Sequence, residues 1–206
     1  MSLFITFEGA DGCGKTTQIK LLNEYLLKKG FKTLVTREPG AKGLGEKLRE
    51  ILLNYDGEVS PNCESFLFLA DRAQHVDCVI KPALKDGVIV LCDRHTDSTV
   101  AYQGYGRQLD IEQIKKLNEI AVNGLKPDLT IVFDIDIETS MQRVGKTKDR
   151  MESAGTDFFN RVRNGYLAIA NEEPNRVKVI NSADAIENIH KQVIELVDKQ
   201  VNIHKG

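Results

Sequence analysis

The chain has 206 residues, 41% hydrophobic and 28% charged, with 28 Lys and Arg against 30 Asp and Glu for a net charge of −2. That size and balance predict one globular domain with a sizeable core, and they argue against nucleic acid as the main partner. No apolar run reaches the length of a membrane span and no amino-terminal signal pattern appears, so the expected setting is cytoplasmic, with no membrane partner.

The first apolar run, Leu3-Phe-Ile-Thr-Phe7, predicts a strand over residues 3–8. Next comes Gly9-Ala10-Asp11-Gly12-Cys13-Gly14-Lys15-Thr16, which fits G-x-x-x-x-G-K-[ST]. Ile19, Leu22 and Leu26 follow at helical spacing and predict a helix over 15–29. Strand, glycine loop and helix are the context that this phosphate-binding motif requires. The glycines let successive backbone N–H groups converge on one anion, and the new helix adds its positive end. Lys15 is expected to reach the β- and γ-phosphates of a nucleotide, and Thr16 to ligate Mg²⁺. Cys13 reads as a tolerated position in the loop. Asp11 is an anomaly, because a carboxylate here repels phosphate. It needs a partner, either Arg94 or a substrate hydroxyl, or else it points to solvent.

Residues 32–36 predict a second strand, followed by the long loop Arg37-Glu-Pro-Gly-Ala-Lys-Gly43 and a helix over 44–54. One long helix is predicted over 61–84. Within it Phe68 and Arg72 share a face, and composition favours Phe68 in the core with Arg72 on the surface. Val88-Ile-Val-Leu-Cys92 predicts a strand over 88–93, covered on both faces. It ends in Asp93-Arg94, where the acid can help hold Mg²⁺ and the guanidinium can grip a phosphate. Capping of the next helix is the alternative for Asp93. Ala101-Tyr-Gln-Gly-Tyr-Gly-Arg107 reads as a loop, fit to contact a base and sugar or to be an ordinary turn.

A helix over 111–123 and an apolar strand over 128–135 follow, then a helix over 136–145. Arg143, Lys146, Lys148 and Arg150 crowd the next loop, which suits a lid bringing cations onto a transferring phosphoryl group. A helix over 157–172, a strand over 176–180 and a helix over 184–201 complete the chain. Cys13, Cys63, Cys78 and Cys92 have no metal-ligand spacing, and Cys78 and Cys92 are expected in the core. Alternating strands and helices predict an α/β fold, a parallel sheet flanked by helices, as one domain over 1–206 with a lid at about 143–156.

These pieces together resemble bacterial thymidylate kinases along nearly the whole chain. The matching segments are Phe7-Glu-Gly-Ala-Asp-Gly-Cys-Gly-Lys-Thr-Thr17, Thr36-Arg-Glu-Pro-Gly40, Leu69-Ala-Asp-Arg-Ala-Gln-His75, Asp93-Arg-His95 with Ala101-Tyr-Gln-Gly104, and Asp149-Arg-Met-Glu152 followed by Phe158-Phe-Asn-Arg161. The resemblance implies a P-loop nucleoside monophosphate kinase-like fold with a five-stranded parallel sheet. It implies transfer of the γ-phosphoryl of ATP to dTMP, giving dTDP, with Mg²⁺, in a homodimer. Carried over by position, residues 9–17 bind ATP, Thr17 included. Phe68 stacks on thymine and Arg72 meets a thymine carbonyl. Ser98, Thr99 and Gln103 approach the base, and Tyr102 packs beside the sugar at C2′. Asp11 takes the 3′-hydroxyl and pairs with Arg94, while Arg37, Arg49 and Arg94 surround the monophosphate. Arg150 and Arg143 are implied as lid cations, supplying what a phosphate loop without arginine lacks. The chain departs from the family pattern at Ala41-Lys42, where a second glycine is common, and in a short lid segment before Asp149-Arg150.

Two other classes share parts of this pattern. A deoxynucleoside kinase would have the phosphate loop and the Asp-Arg pair, but no use for the Arg37, Arg49 and Arg94 trio. A nucleotide switch reading guanine would carry [NT]-K-x-D after a strand, whereas Leu125-Lys-Pro-Asp128 lacks the first residue and precedes its strand.

Overall fold

All five predicted strands form, within a residue or so of their expected bounds. They are β1 (Leu3–Glu8), β2 (Thr33–Arg37), β3 (Ile89–Asp93), β4 (Leu129–Asp134) and β5 (Val177–Asn181). In this computed structural model, which describes residues 1–143, 150–151 and 154–203, they make one sheet in the order β2-β3-β1-β4-β5. Every neighbouring pair is parallel. From β1 the chain visits β2 and β3 on one side, then β4 and β5 on the other. The connections therefore diverge at β1, and a crevice opens beyond its carboxyl end, where open α/β sheets bind ligands. The register pairs Asp93 with both Phe7 and Arg37, so β1, β2 and β3 deliver Glu8, Arg37 and Asp93 to the same edge.

The helices are α1 (Lys15–Lys28), α2 (Leu44–Asn54), α3 (Pro61–His75), α4 (Lys81–Lys85), α5 (Thr96–Thr99), α6 (Ile111–Val122), α7 (Ile137–Arg143), α8 (Thr156–Glu172) and α9 (Ile186–Ile203). Strand residues of β1, β3 and β4 are almost wholly buried because helices cover both faces. On one face Ile19, Leu22 and Leu26 of α1 and Val193, Val197 and Val201 of α9 pack on Ile5, Leu91 and Ile131. On the other, Phe158, Val162, Tyr166 and Ile169 of α8 pack with Tyr102 and Val132. Among the described residues no helix is long and apolar enough to cross a membrane.

The secondary structure differs from the expected elements at two places. The helix expected over 61–84 starts as capping chemistry dictates, with Ser60 Oγ accepting from Cys63 N at 3.3 Å and Pro61 in the first turn. It then loosens into a π-helical stretch, Val76–Ile80, before α4. The wider turn shifts the facing of the side chains, and Cys78 is exposed rather than in the core, while Cys92 is buried as expected. Residues 101–107 are not a loop: α5 runs on as a π-helical stretch, Val100–Gly106. Its glycines serve close packing. A Cβ at Gly106 would lie 2.6 Å from a Phe158 ring carbon, and one at Gly104 would lie 3.3 Å from Ile111.

Candidate active site

The phosphate loop joins β1 to α1. Gly9 has φ 133, and a Cβ there would lie 2.6 Å from the Phe133 carbonyl oxygen. Gly14, at φ 93, caps α1 in the left-handed conformation, and no side chain among the described residues caps the helix. The first amides of α1 thus face the crevice, where an anion can take them. Within the loop, Ala10 and Cys13 are buried. Lys15 is also buried and folds back, donating to the carbonyls of Gly9 at 3.1 Å and Ala10 at 3.0 Å.

This loop lines a cavity of about 410 Å³ together with Asp11, Gly12, Thr16, Thr17, Arg37, Arg49, Asp93, Arg94 and Arg143. Among the described residues, Asp93 Oδ1 is buried there without a hydrogen-bond partner. A hard acceptor left unpaired beside the Thr16 hydroxyl fits Mg²⁺, which prefers oxygen ligands. Arg37 sits at the end of β2, exposed at the cavity wall. Arg49 donates to the Pro39 carbonyl at 2.9 Å.

A second cavity, of about 90 Å³, adjoins the first and shares Asp11, Glu38, Arg49 and Arg94 with it. Its remaining walls are aromatic and apolar, from Phe68, Tyr102, Leu53 and Met151, with Arg72, Ser98, Thr99 and Gln103 as polar groups. Arg94 stands at the junction. It holds φ 69, a left-handed conformation costly for a side chain with a Cβ. That turn aims Nη2 at Asp11 Oδ1, 2.8 Å away, and lays the guanidinium over the Tyr102 ring at 5.0 Å. Burial alone would raise the Asp11 pKa, but the charges of Arg94 and Lys15 outweigh it and hold the carboxyl down at about 2. Of the alternatives for Asp11, the structure shows the pairing with Arg94.

Arg72 is not a surface residue. It is 1% exposed, and its guanidinium donates to Glu38 at 2.8 Å, Thr99 at 2.6 Å, Asn118 at 2.7 Å and the His95 carbonyl at 2.9 Å. Phe68, on the same face of α3, is half-buried at the cavity wall rather than sealed in the core. Tyr102 belongs to both: it lines the cavity and packs edge-on against Phe158, Phe159 and Tyr166.

The two arginines of the implied lid take different places. Arg143 lines the phosphate cavity. Arg150 lies away from it, donating to Glu64 at 2.7 Å and to the Leu52 carbonyl at 2.9 Å. Lys146, Lys148 and Asp149 fall outside the described residues.

Three buried acids that sequence reasoning passed over organise the site. Glu38 accepts from Arg72, from His75 Nδ1 at 2.9 Å and from His95 Nδ1 at 3.0 Å. Glu64 collects Gln103, Arg107 and Arg150. Glu8 accepts from the His95 amide at 2.8 Å, the Ser98 hydroxyl at 2.5 Å and the Tyr166 hydroxyl at 3.0 Å. It thereby ties the chain that follows Arg94 to the end of β1 and to α8. A glutamate closing the apolar run Leu3-Phe-Ile-Thr-Phe7 was the signal available for it.

Burial, reinforced by the charge of Asp97, pushes the Glu8 pKa up to about 7. The unfolded chain ionises this group near its ordinary 4.5, so between these values the folded state binds the extra proton. The contribution of this group to stability should therefore fall as pH rises from about 4.5 to 7 and level off above. Glu8→Gln should remove that part of the slope. Urea unfolding of both proteins at several pH values checks it, and a difference that does not vary with pH refutes it.

The comparisons with known proteins agree with this geometry. The family profile described as Thymidylate kinase matches residues 7–193. A protein named thymidylate kinase from Thermoanaerobacter sp. (strain X514) is 49% identical over 197 residues, covering 95% of this chain and 97% of its own. One of the same name from Geotalea daltonii is 47% identical over 212 residues, covering 98% and 99%. The crystal structure of thymidylate kinase from Ehrlichia chaffeensis superposes with a TM-score of 0.79 at 37% identity, over 95% of this chain and 98% of that one. With the adjoining phosphate and aromatic cavities, these matches establish that the chain belongs to the thymidylate kinase family.

Proposed function

We propose that this protein transfers the γ-phosphoryl group of ATP to dTMP, giving dTDP and ADP for dTTP synthesis. The observation that carries the reading is the junction of the two cavities at Asp11, Arg49 and Arg94. A phosphate-binding loop on one side and an aromatic pocket with donors on the other suit a phosphoryl donor meeting a nucleotide acceptor. Phosphoryl transfer asks mainly for positioning and for fixed positive charge. In this reading the α1 amides, residues 9–17 and Lys15 cradle the ATP phosphates. Arg37, Arg49 and Arg94 hold the acceptor phosphate, and Arg143 closes from the far wall. Asp11, kept ionised by Arg94, accepts from the sugar 3′-hydroxyl. Phe68 supports the base, with Arg72, Ser98, Thr99 and Gln103 at its edge. Thr16 and Asp93 would hold Mg²⁺, which when bound neutralises charge on the β- and γ-phosphates. Arg150 would act only after leaving Glu64 as the lid closes. The lid is proposed over about 143–156 within one domain, 1–206, and the cytoplasm, which supplies ATP, is the proposed compartment.

A homodimer is part of the proposal. Ile51 and Tyr55 at the end of α2, Phe66 of α3 and Ile120 of α6 are large apolar side chains left exposed, and α3 packs between the other two helices. Such a set supports an association surface on this side of the molecule. Sedimentation should give twice the chain mass, reduced to one chain mass by Phe66→Glu.

The test against a nucleoside kinase compares turnover of dTMP and thymidine with ATP. The arginine trio predicts that dTMP is the acceptor; preferential phosphorylation of thymidine would overturn the reading.

Tyr102 tests the sugar contact. A ring beside C2′ leaves no room for a hydroxyl there and gives it no partner, a discrimination of about ten- to a hundredfold. Tyr102→Phe should keep the dTMP preference over the ribo form. Tyr102→Ala should lose it. Because the ring also packs in the core, Tyr102→Ala should cost about 3 kcal/mol of stability as well. The deoxy-to-ribo ratio of kcat/KM is independent of how much enzyme is folded, and an unchanged ratio in Tyr102→Ala would remove Tyr102 from that role.

A further inference from the structure

Glu64 lies on α3 and is 1% exposed. Its Oε1 accepts from Gln103 Nε2 at 3.1 Å and Arg107 Nε at 3.1 Å, and its Oε2 accepts from Arg107 Nη2 at 3.0 Å and Arg150 Nη1 at 2.7 Å. Burial works against its charge, but the hydrogen bonds from Arg107 and Gln103 prevail and hold the carboxyl below the usual glutamate range. An ionised carboxylate only accepts. The Gln103 carboxamide must therefore turn its NH₂ toward Glu64. The opposite orientation would set oxygen against oxygen in a buried place. Gln103 lines the acceptor cavity, and its carboxamide oxygen makes no hydrogen bond with the rest of the described chain.

We propose that Glu64 is a specificity-determining residue that acts through Gln103, by locking the amide so that an acceptor oxygen faces the edge of the base. This rests on the dTMP reading above. Thymine offers an N3–H donor next to the C4 carbonyl. Cytosine offers an N3 acceptor next to an amino group. Arg72 lines the same cavity, and its four hydrogen bonds leave one Nη2–H unused among the described residues. A donor from Arg72 beside an acceptor from Gln103 complements thymine and opposes cytosine at both atoms. Were the Gln103 amide free to flip, its NH₂ would meet the cytosine N3, and half of that discrimination would vanish. Glu64 is a positioning residue in this scheme, since it touches Gln103 and not the nucleotide.

Glu64→Gln tests it, because a neutral amide can either donate to Gln103 or accept from it. The kcat/KM ratio for dTMP over dCMP should fall about tenfold or more, the scale set by one buried hydrogen-bond reader. In a Gln103→Met background, adding Glu64→Gln should leave the ratio within about twofold, because the group it acts through is gone. If Glu64→Gln yields no folded enzyme, Glu64→Asp asks the same question, since its shorter side chain retreats from Gln103 and the ratio should fall likewise. An unchanged ratio in the folded variant, or an equal fall in the Gln103→Met background, overturns the role of Glu64. Wild type that turns over neither nucleotide overturns the dTMP reading itself, which separates the two failures.

Discussion

Replacing Lys15 by alanine should lower kcat by about 10³-fold or more, with the fold intact. The size of the effect follows from where the charge is needed. Phosphoryl transfer spreads negative charge over the moving group, and a positioned cation in a water-poor cleft stabilises that charge without reorganising. Lys15 is 6% exposed, and its ammonium is already held at the mouth of the loop by the Gly9 and Ala10 carbonyls, 3.1 and 3.0 Å away. The Gly9 carbonyl keeps Arg94 Nη1 as a donor at 2.9 Å, and Lys15 itself lines the phosphate cavity, so water can enter where the ammonium stood and the melting temperature should shift by only a few degrees. Single-turnover kinetics with ATP and dTMP would measure it, and a rate within tenfold of wild type would refute the assignment.

Arg72→Ala should have the largest effect on stability. The guanidinium is the cation of a buried cluster in which Glu38 also takes His75 and His95. Burial opposes the Glu38 charge, and Arg72 with the histidines overrides it, holding the carboxyl well below its ordinary range. Removing Arg72 strands that carboxylate, together with Thr99 and Asn118, which lose a donor. Breaking a buried pair on one side costs about 3–5 kcal/mol, or roughly 10 °C in a protein of this size. Arg72→Lys should recover only part of it, because an ammonium cannot reproduce the fork. The dTMP preference over dCMP should fall in the same variant. A calorimetric melting temperature within about 2 °C of wild type would contradict the buried-pair account.

The strands, the phosphate loop and the Asp93-Arg94 pair were legible because each is local. An apolar run between breakers, or glycines at fixed spacing, needs no knowledge of the rest of the chain. What escaped depends on distance in sequence. Arg72 looks like a surface residue at helical spacing until Glu38, from another element, draws it inward. The glycines of residues 101–107 imitate a turn, and only the Phe158 ring pressed against Gly106 shows that they make room in a helix. Cys78 was misplaced because a π-helical turn adds a residue and rotates the face, which a regular period cannot anticipate. Glu8, Glu38 and Glu64 carry no motif chemistry themselves. They hold residues that do, and that role appears only when the hydrogen bonds are in view.

The most direct measurement is phosphoryl transfer from ATP to a panel of nucleoside monophosphates, dTMP, dUMP, dCMP, dGMP and dAMP, followed by nucleoside diphosphate formation. dTDP should be the main product, with turnover of dCMP and the purine nucleotides far behind. Equal turnover across the panel, or none on any member, would contradict it.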